Sequence, residues 1–423
     1  MTGTGAARRA IGEIDRAART RLLAVLTARF GDLDLAEDAL QEALIQALRT
    51  WPETGVPASP EAWLTTTAKR KALDVVRRDG VLAAKLAELR IYAEREPRTV
   101  ADPVDALEPA PVPDERLGLF FACAHPALRP EQRIALTLRF VAGLSTAEVA
   151  AALLIPVTTA QQRIVRAKKR IATLGIRFVV PARTELPDRL PVVLRTVYLL
   201  FSEGYARSTG AEHVRDDLTA EAIRLARLLR ALLPCAETTG LLALLVLTNA
   251  RRPARTGPDG HPVALADQDR ARWDRAGLTE GIALAEEAAG ARGASSYAIQ
   301  AAIAAVHAEA GTAAETDWRQ ITVLYRMLAV VEPGPVVRLG GAVAEGRAYG
   351  PDRGMRRLRA LADDPMLSRF RPFHIACAVT LTESGDEQGA AAAYRRALEL
   401  PGNAAEDDYL AASLAGLETP DGS

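Results

Sequence analysis

The stretch GLSTAEVAAALLIPVTTAQQRIVRAKKRI, Gly143 to Ile171, places hydroxyls, amides and cations at spacings suited to nucleic acid. Ser145 or Thr146 can cap a short helix, with Glu148 three residues on as in a capping box. Ile155-Pro156-Val157 makes a turn, after which Thr158 can cap a second helix. Winding that helix at about 100° per residue puts Ala160, Ile164, Ala167 and Ile171 on one face. Thr159, Gln162, Arg163, Arg166, Lys169 and Arg170 fall on the other. Short polar groups at the start of such a helix can reach base edges in the major groove, while later cations hold phosphates.

Two further helices carry patterned charge. In GDLDLAEDALQEALIQALRTW, residues Ala36, Leu40, Leu44 and Ala47 line one face, and Asp34, Asp38, Gln41, Glu42 and Ile45 the opposite one. An aliphatic side chain set among acids suits docking to a basic partner helix. In SPEAWLTTTAKRKALDVVRR, Ser59 can cap, Pro60 fits the first helical position and Glu61 complements the helix dipole. Trp63, Leu64, Ala68, Leu73 and Val76 should pack inward, leaving Lys69, Arg70, Lys71, Arg77 and Arg78 as a basic stripe beside Asp74. Cations next to an aromatic ring can hold a separated DNA strand, phosphates by charge and bases by stacking.

The elements behind these faces should all be helices. The 423 residues are 49% hydrophobic and 25% charged, enough for two or three domains with sizeable cores. Ala, Leu, Arg and Glu dominate, and alternating β-branched runs are scarce. Helices are expected over 10–92, broken at Gly31-Asp32 and over Trp51–Pro60, and again over 114–175, within a domain that ends at 180. Between them, 93–113 holds five prolines and many acids and reads as a linker. A second boundary is expected around Pro181 and Pro187, followed by a helical C-terminal domain over 188–423 with one loop, Ala250–Pro262. The apolar run Thr239–Thr248 is too short to span a bilayer and reads as a buried helix. Near the end, Gly385, Ala390, Tyr394, Ala397, Leu398 and Pro401 follow the second helix of a tetratricopeptide repeat (TPR), and Gly350 lies 35 residues before Gly385.

The net charge is zero, but ten Lys/Arg stand against two acids from Arg129 to Arg183. A neutral total therefore does not argue against nucleic acid. Cys123, Cys235 and Cys377 are far apart and form no metal-binding spacing, and the five histidines are scattered. No catalytic constellation, metal or cofactor is expected, and no membrane segment; a cytoplasmic protein that is not an enzyme is the reading. Glu203 with Tyr205, Arg251-Arg252 with Arg255, and Asp267 to Asp274 could form a ligand pocket, but pairing within loops is the favoured reading.

Taken in order, the three helices resemble the extracytoplasmic-function (ECF) sigma factors. That family has an acidic DxxQE helix, then a W-L…A-R-x-x-x-x-D-x-x-R-R helix, a linker and a region-four helix-turn-helix. This chain matches with Asp38, Gln41 and Glu42; with Trp63-Leu64, Ala68, Lys69, Asp74, Arg77 and Arg78; and with Thr159, Arg163, Arg166 and Ala167. The family usually has Gly where Leu154 and Thr158 stand, and commonly Asn at Arg70. DERLGLFFACAHPAL, LLFSEGYARSTG and NARRPAR…LADQDRARWDR look like the subgroup with a fused TPR-type extension.

The resemblance implies an all-α protein made of region two, region four and a TPR-like solenoid. Asp38, Gln41, Glu42 and Ile45 would bind the β′ clamp of the RNA polymerase core. Lys69, Arg70, Lys71, Asp74, Arg77 and Arg78 would engage the −10 element of promoter DNA. Thr158, Thr159, Gln162, Arg163, Arg166, Lys169 and Arg170 would read the −35 element beside the β flap. The extension would regulate or assist, and could take a peptide or protein ligand. A conventional helix-turn-helix regulator with a ligand- or peptide-sensing TPR domain, and a peptide-binding scaffold, remain open on the residues alone.

Overall fold

The computed structural model describes residues 3–13, 16–90, 112, 114–210, 214–258, 260–293 and 295–418, with side chains of 3, 4, 6, 12, 13, 16, 17 and 79–90 outside that set. Apart from Val112, the expected linker 93–113 lies outside the described residues. Nineteen α-helices and no strand occur among the described residues, so the all-α expectation holds. The chain forms two compact units, one of residues 1–144 and 162–193, the other of 145–161 and 194–423.

In the first unit, α1 (Gly3–Glu13), α2 (Arg16–Phe30), α3 (Leu33–Thr54) and α4 (Pro60–Arg90) pack on one another. Gly31 reverses the chain at φ +68°, and Asp32 caps α3 by accepting from the Asp34 and Leu35 N–H groups. Leu33, Ala36, Leu40, Ala43, Leu44, Ala47 and Trp51 are the buried stripe of α3, and Trp51 meets Trp63 edge-on at 5.4 Å. Helix α3 runs through the break expected at Trp51, because Pro52 is tolerated near its end and Gly55 N–H closes on the Trp51 carbonyl. On α4 the buried residues are Leu64, Ala68 and Ala72, while Val76 is 47% exposed. The inward expectation for Val76 therefore fails. Steps of four drift about 40° each, which carries position 76 about 120° away from Leu64.

The same unit contains α5 (Glu115–Cys123) and α6 (Pro130–Phe140). Helix α5 is buried on every side, from Leu117 through Phe120, Phe121 and Cys123. Its ends are fixed by long side chains. Arg116 donates to the Val141 carbonyl, and Arg189 to the Phe121 carbonyl at 3.1 Å. Arg133 closes the α5–α6 loop on the Leu128 and Pro126 carbonyls. The extended segment after Gly175 returns to the α2–α3 turn, where Phe178 N–H donates to the Gly31 carbonyl at 2.9 Å.

The second unit opens with α7 (Thr146–Ala152) and its following turn. The expected capping box is present: Ser145 Oγ accepts from Glu148 N–H, and Glu148 accepts from Ser145 N–H at 2.6 Å. Leu154 takes φ +53°, the one non-glycine residue with positive φ among those described. Helix α8 (Val157–Leu174) crosses from this unit into the first. It starts at Val157, with the Pro156 carbonyl accepting from Ala160 N–H, so Thr158 sits in the first turn and is not the expected cap. Helix α9 (Leu186–Tyr205) likewise runs past the boundary expected at Pro187, which is tolerated in its first turn.

The rest of the unit is α10 (Asp216–Leu232), α11 (Ala236–Ala250), α12 (Arg275–Gly290), α13 (Ser296–Glu309), α14 (Trp318–Val331), α15 (Pro335–Tyr349), α16 (Pro351–Arg359), α17 (Arg371–Glu383), α18 (Glu387–Leu398) and α19 (Ala404–Glu418). From α10 to α19, apart from loops, each helix packs on the next. Helix α11 is the expected buried helix, and Gly240 lets α13 approach so closely that a Cβ would stand 2.5 Å from Ala298 N. The loop after α11 is longer than expected: it extends from Arg251 to Asp274 with three 3₁₀ turns and an isolated Thr256–Pro262 bridge. Asn403 and Ala404 bond the Arg207 and Gly210 carbonyls, which brings the last helix of the unit to its first loop.

Candidate polymerase and nucleic-acid interface

The capped start of α3 sets the phase of its outer face. Asp38, Gln41, Glu42 and Ile45 are all exposed, at steps of three and four. Ile45 is 40% exposed and Leu48 43%. Leu48 was not singled out in the sequence; the signal was its position three residues after Ile45.

An open groove of about 770 Å³ separates this face from α4. Asp38, Glu42 and Leu35 line one wall; Lys71, Asp74, Arg77 and Arg78 line the other. Lys71 Nζ lies 4.0 Å from Glu42 Oε2. Lys69 is half-buried and Arg70 exposed, both outside the groove lining. Part of each expected set, Asp38 and Glu42 from one and Lys71, Asp74, Arg77 and Arg78 from the other, thus lines one groove, which Gln41 and Ile45 do not line.

Along α8, Ala160, Ile164 and Ala167 are buried and Ile171 is half-buried. Thr158, Gln162, Arg166, Lys169 and Arg170 are exposed, and Thr159 and Arg163 are partly so. Arg170 also donates from Nε to the Ala127 carbonyl at 2.6 Å, which anchors the helix to the α5–α6 loop.

Lys168 does something the helix pattern did not indicate. Its ammonium lies 2.5 Å from Asp34 and 3.2 Å from Glu37, at the start of α3. Burial works against its charge, but the bonds to Asp34 and the charge of Glu37 outweigh it and hold its pKa above the ordinary lysine value. Lys168 also sits over the Phe140 ring at 4.9 Å.

In the second unit, Glu148 is buried and its Oε1 lies 3.7 Å from Arg215 Nη1. Arg215 also pairs with Asp217, and Arg252 with Asp216, both acids of the first turn of α10.

Comparisons with known proteins agree with this layout. Residues 15–81 match Sigma-70 region 2 and residues 121–171 match Sigma-70, region 4. The class so defined is a sigma factor of the sigma-70 type. The chain belongs to the same family as the Uncharacterized protein R00370 of Rhizobium meliloti (strain 1021), with 40% identity over 398 residues, 94% of this chain and 93% of the other. It is also similar to the ECF RNA polymerase sigma factor SigE of Mycolicibacterium smegmatis, 32% identical over 173 residues, 40% of this chain and 63% of that one. Residues 189–289 match a family of unknown function (DUF6596), so the expected TPR assignment of the extension is not established. No solved structure matches.

Proposed function

We propose that the protein is an ECF-type sigma factor that brings RNA polymerase core to particular promoters, with its helical extension acting by contact. The observation that carries this reading is the shared α3–α4 groove, with Asp38 and Glu42 on one wall and Lys71, Arg77 and Arg78 on the other. Acids and Ile45 on α3 suit a basic helix of the polymerase clamp, and the α4 cations suit an opened −10 strand close by. The exposed polar start and cationic end of α8 support −35 recognition, with Gln162, Arg163 and Arg166 as the readers. Similarity to SigE supports the ECF assignment. Stacking of each C-terminal helix on the next, with Gly350 and Gly385 at positive φ between successive helices, supports a TPR-like extension.

Run-off transcription with purified core polymerase, with and without the full chain, tests the proposal. Promoter-specific transcripts that depend on the protein are expected. Arg163→Ala or Arg166→Ala should lower them; loss of a base contact is worth about 1–3 kcal/mol and relaxes one position of the −35 element. Tight duplex binding by the protein alone, with no transcript from sigma-free core, would favour a conventional regulator instead.

A further inference from the structure

The long loop after α11 covers a set of buried polar atoms that no described group satisfies. The hydroxyl of Tyr205, Asn249 Oδ1, Arg251 Nε, Trp273 Nε1 and His307 Nδ1 are all shielded from solvent and lack a hydrogen-bond partner. Leaving one such group unmet costs about 1–3 kcal/mol, so a group of five requires polar company. Their chemistry is biased. Arg Nε and Trp Nε1 can only donate, and Tyr and His can donate, whereas Asn249 Oδ1 and the likewise unsatisfied Gln268 Oε1 of the loop only accept. A cluster richer in donors than acceptors is matched by an acceptor-rich guest.

Charge points the same way. Arg251 forms no ion pair with any described residue, and its guanidinium lies 5.6 Å from the Trp273 ring centre. Arg270 stacks on the same ring at 4.6 Å, while its nitrogens are engaged by the His307 and Ala310 carbonyls. Arg255 lies 3.7 Å over the Tyr205 ring. His307 is held neutral, its pKa lowered to about 4 by burial and then by Arg251 and Arg270. Burial is the larger cause, and the two guanidiniums add positive charge beside it.

We infer that the C-terminal domain holds a small oxyanion, a phosphate ester or a carboxylate, between Arg251, Tyr205, Trp273 and His307 beneath the Arg251–Asp274 loop. Most of these residues lie within 189–289, the segment that matches a family of unknown function. Long irregular loops in compact domains are commonly binding loops, and this one supplies Arg251 and Trp273 from its two ends. The inference does not depend on promoter recognition, since the site lies wholly within the C-terminal helices.

Thermal unfolding of the full chain tests it, with inorganic phosphate and with succinate, each against sodium chloride at matched ionic strength. One of the two should raise Tm saturably by about 2 °C or more, and which of them does so separates phosphate from carboxylate. Arg251→Gln should weaken the apparent affinity at least tenfold. Tyr205→Phe, which keeps the ring under Arg255, should weaken it by a smaller factor and guards against a misfolded Arg251 variant. If neither anion gives a saturable shift beyond chloride, or if both variants respond as the parent does, the pocket holds water and the inference falls.

Discussion

Leu154 occupies a left-handed conformation that costs an L-residue roughly 1–2 kcal/mol, part of which glycine recovers. Leu154→Gly should therefore raise the stability of the helix-turn-helix by about 0.5–1 kcal/mol, while Leu154→Val should lower it; urea unfolding midpoints decide. Glu203 gives a pH signature. Burial pushes its carboxyl up to about 7, against the lowering effect of the Ser208 N–H and hydroxyl, each 3.1 Å away. A folded pKa above the unfolded one means that the neutral form is favoured. Its stability contribution is full below about pH 4.5 and is lost as pH rises through 7, on the order of 3 kcal/mol in all. His307, lowered to about 4, works oppositely: its contribution is present above about 6.5 and lost as pH falls through 4. The two offset one another between about pH 4.5 and 6.5, so only the last part of the Glu203 decline, between about 6.5 and 8, shows by itself, on the order of 1 kcal/mol. There Glu203→Gln, which retains an acceptor for Ser208, should remove the decline in Tm seen in the parent. A parent and variant with parallel pH curves would show that Glu203 is not buried neutral.

At the scale of helices, the docking proposed for the outer face of α3 can be tested apart from stability. Asp38→Lys or Glu42→Lys changes an exposed residue and should shift stability by no more than about 0.5 kcal/mol, yet reduce co-purification with core polymerase. Unaltered co-purification of both variants would remove the docking assignment. This face was legible in the sequence because helical period alone dictates it, as it does for the buried Ala160, Ile164 and Ala167 of α8. What period could not supply were contacts between distant segments. Lys168, which the sequence reading assigned to neither face, takes its place only when Asp34 and Glu37, more than 130 residues earlier, are brought to it. The Thr158 cap and the inward Val76 failed for local reasons, a helix start two residues early and accumulated angular drift. The orphaned donors around Arg251 were visible only as scattered Arg and Trp letters, because their meeting depends on the path of a loop of irregular backbone.

At the scale of the whole molecule, the question is whether the extension bears on DNA reading, and the second unit offers a direct test. Helix α7, which opens the helix-turn-helix, belongs to the same compact unit as the C-terminal helices. Its buried Glu148 faces Arg215, whose backbone N–H is held by the Gly204 carbonyl at the end of α9. The carboxylate that caps α7 is thus balanced by a cation of the extension. Removing that cation leaves a buried charge less compensated, so Arg215→Ala should destabilise by about 1–3 kcal/mol. It should also lower promoter output by more than lost fold explains, measured in run-off reactions at a temperature where the variant is still folded. Arg215→Lys, which keeps the charge, should recover part of both. Arg227→Ala, which breaks an exposed pair with Glu280 elsewhere in the extension, should alter neither by much. If Arg215→Ala unfolds earlier but transcribes as well as the parent, the extension supports α7 structurally and does not tune its DNA contact.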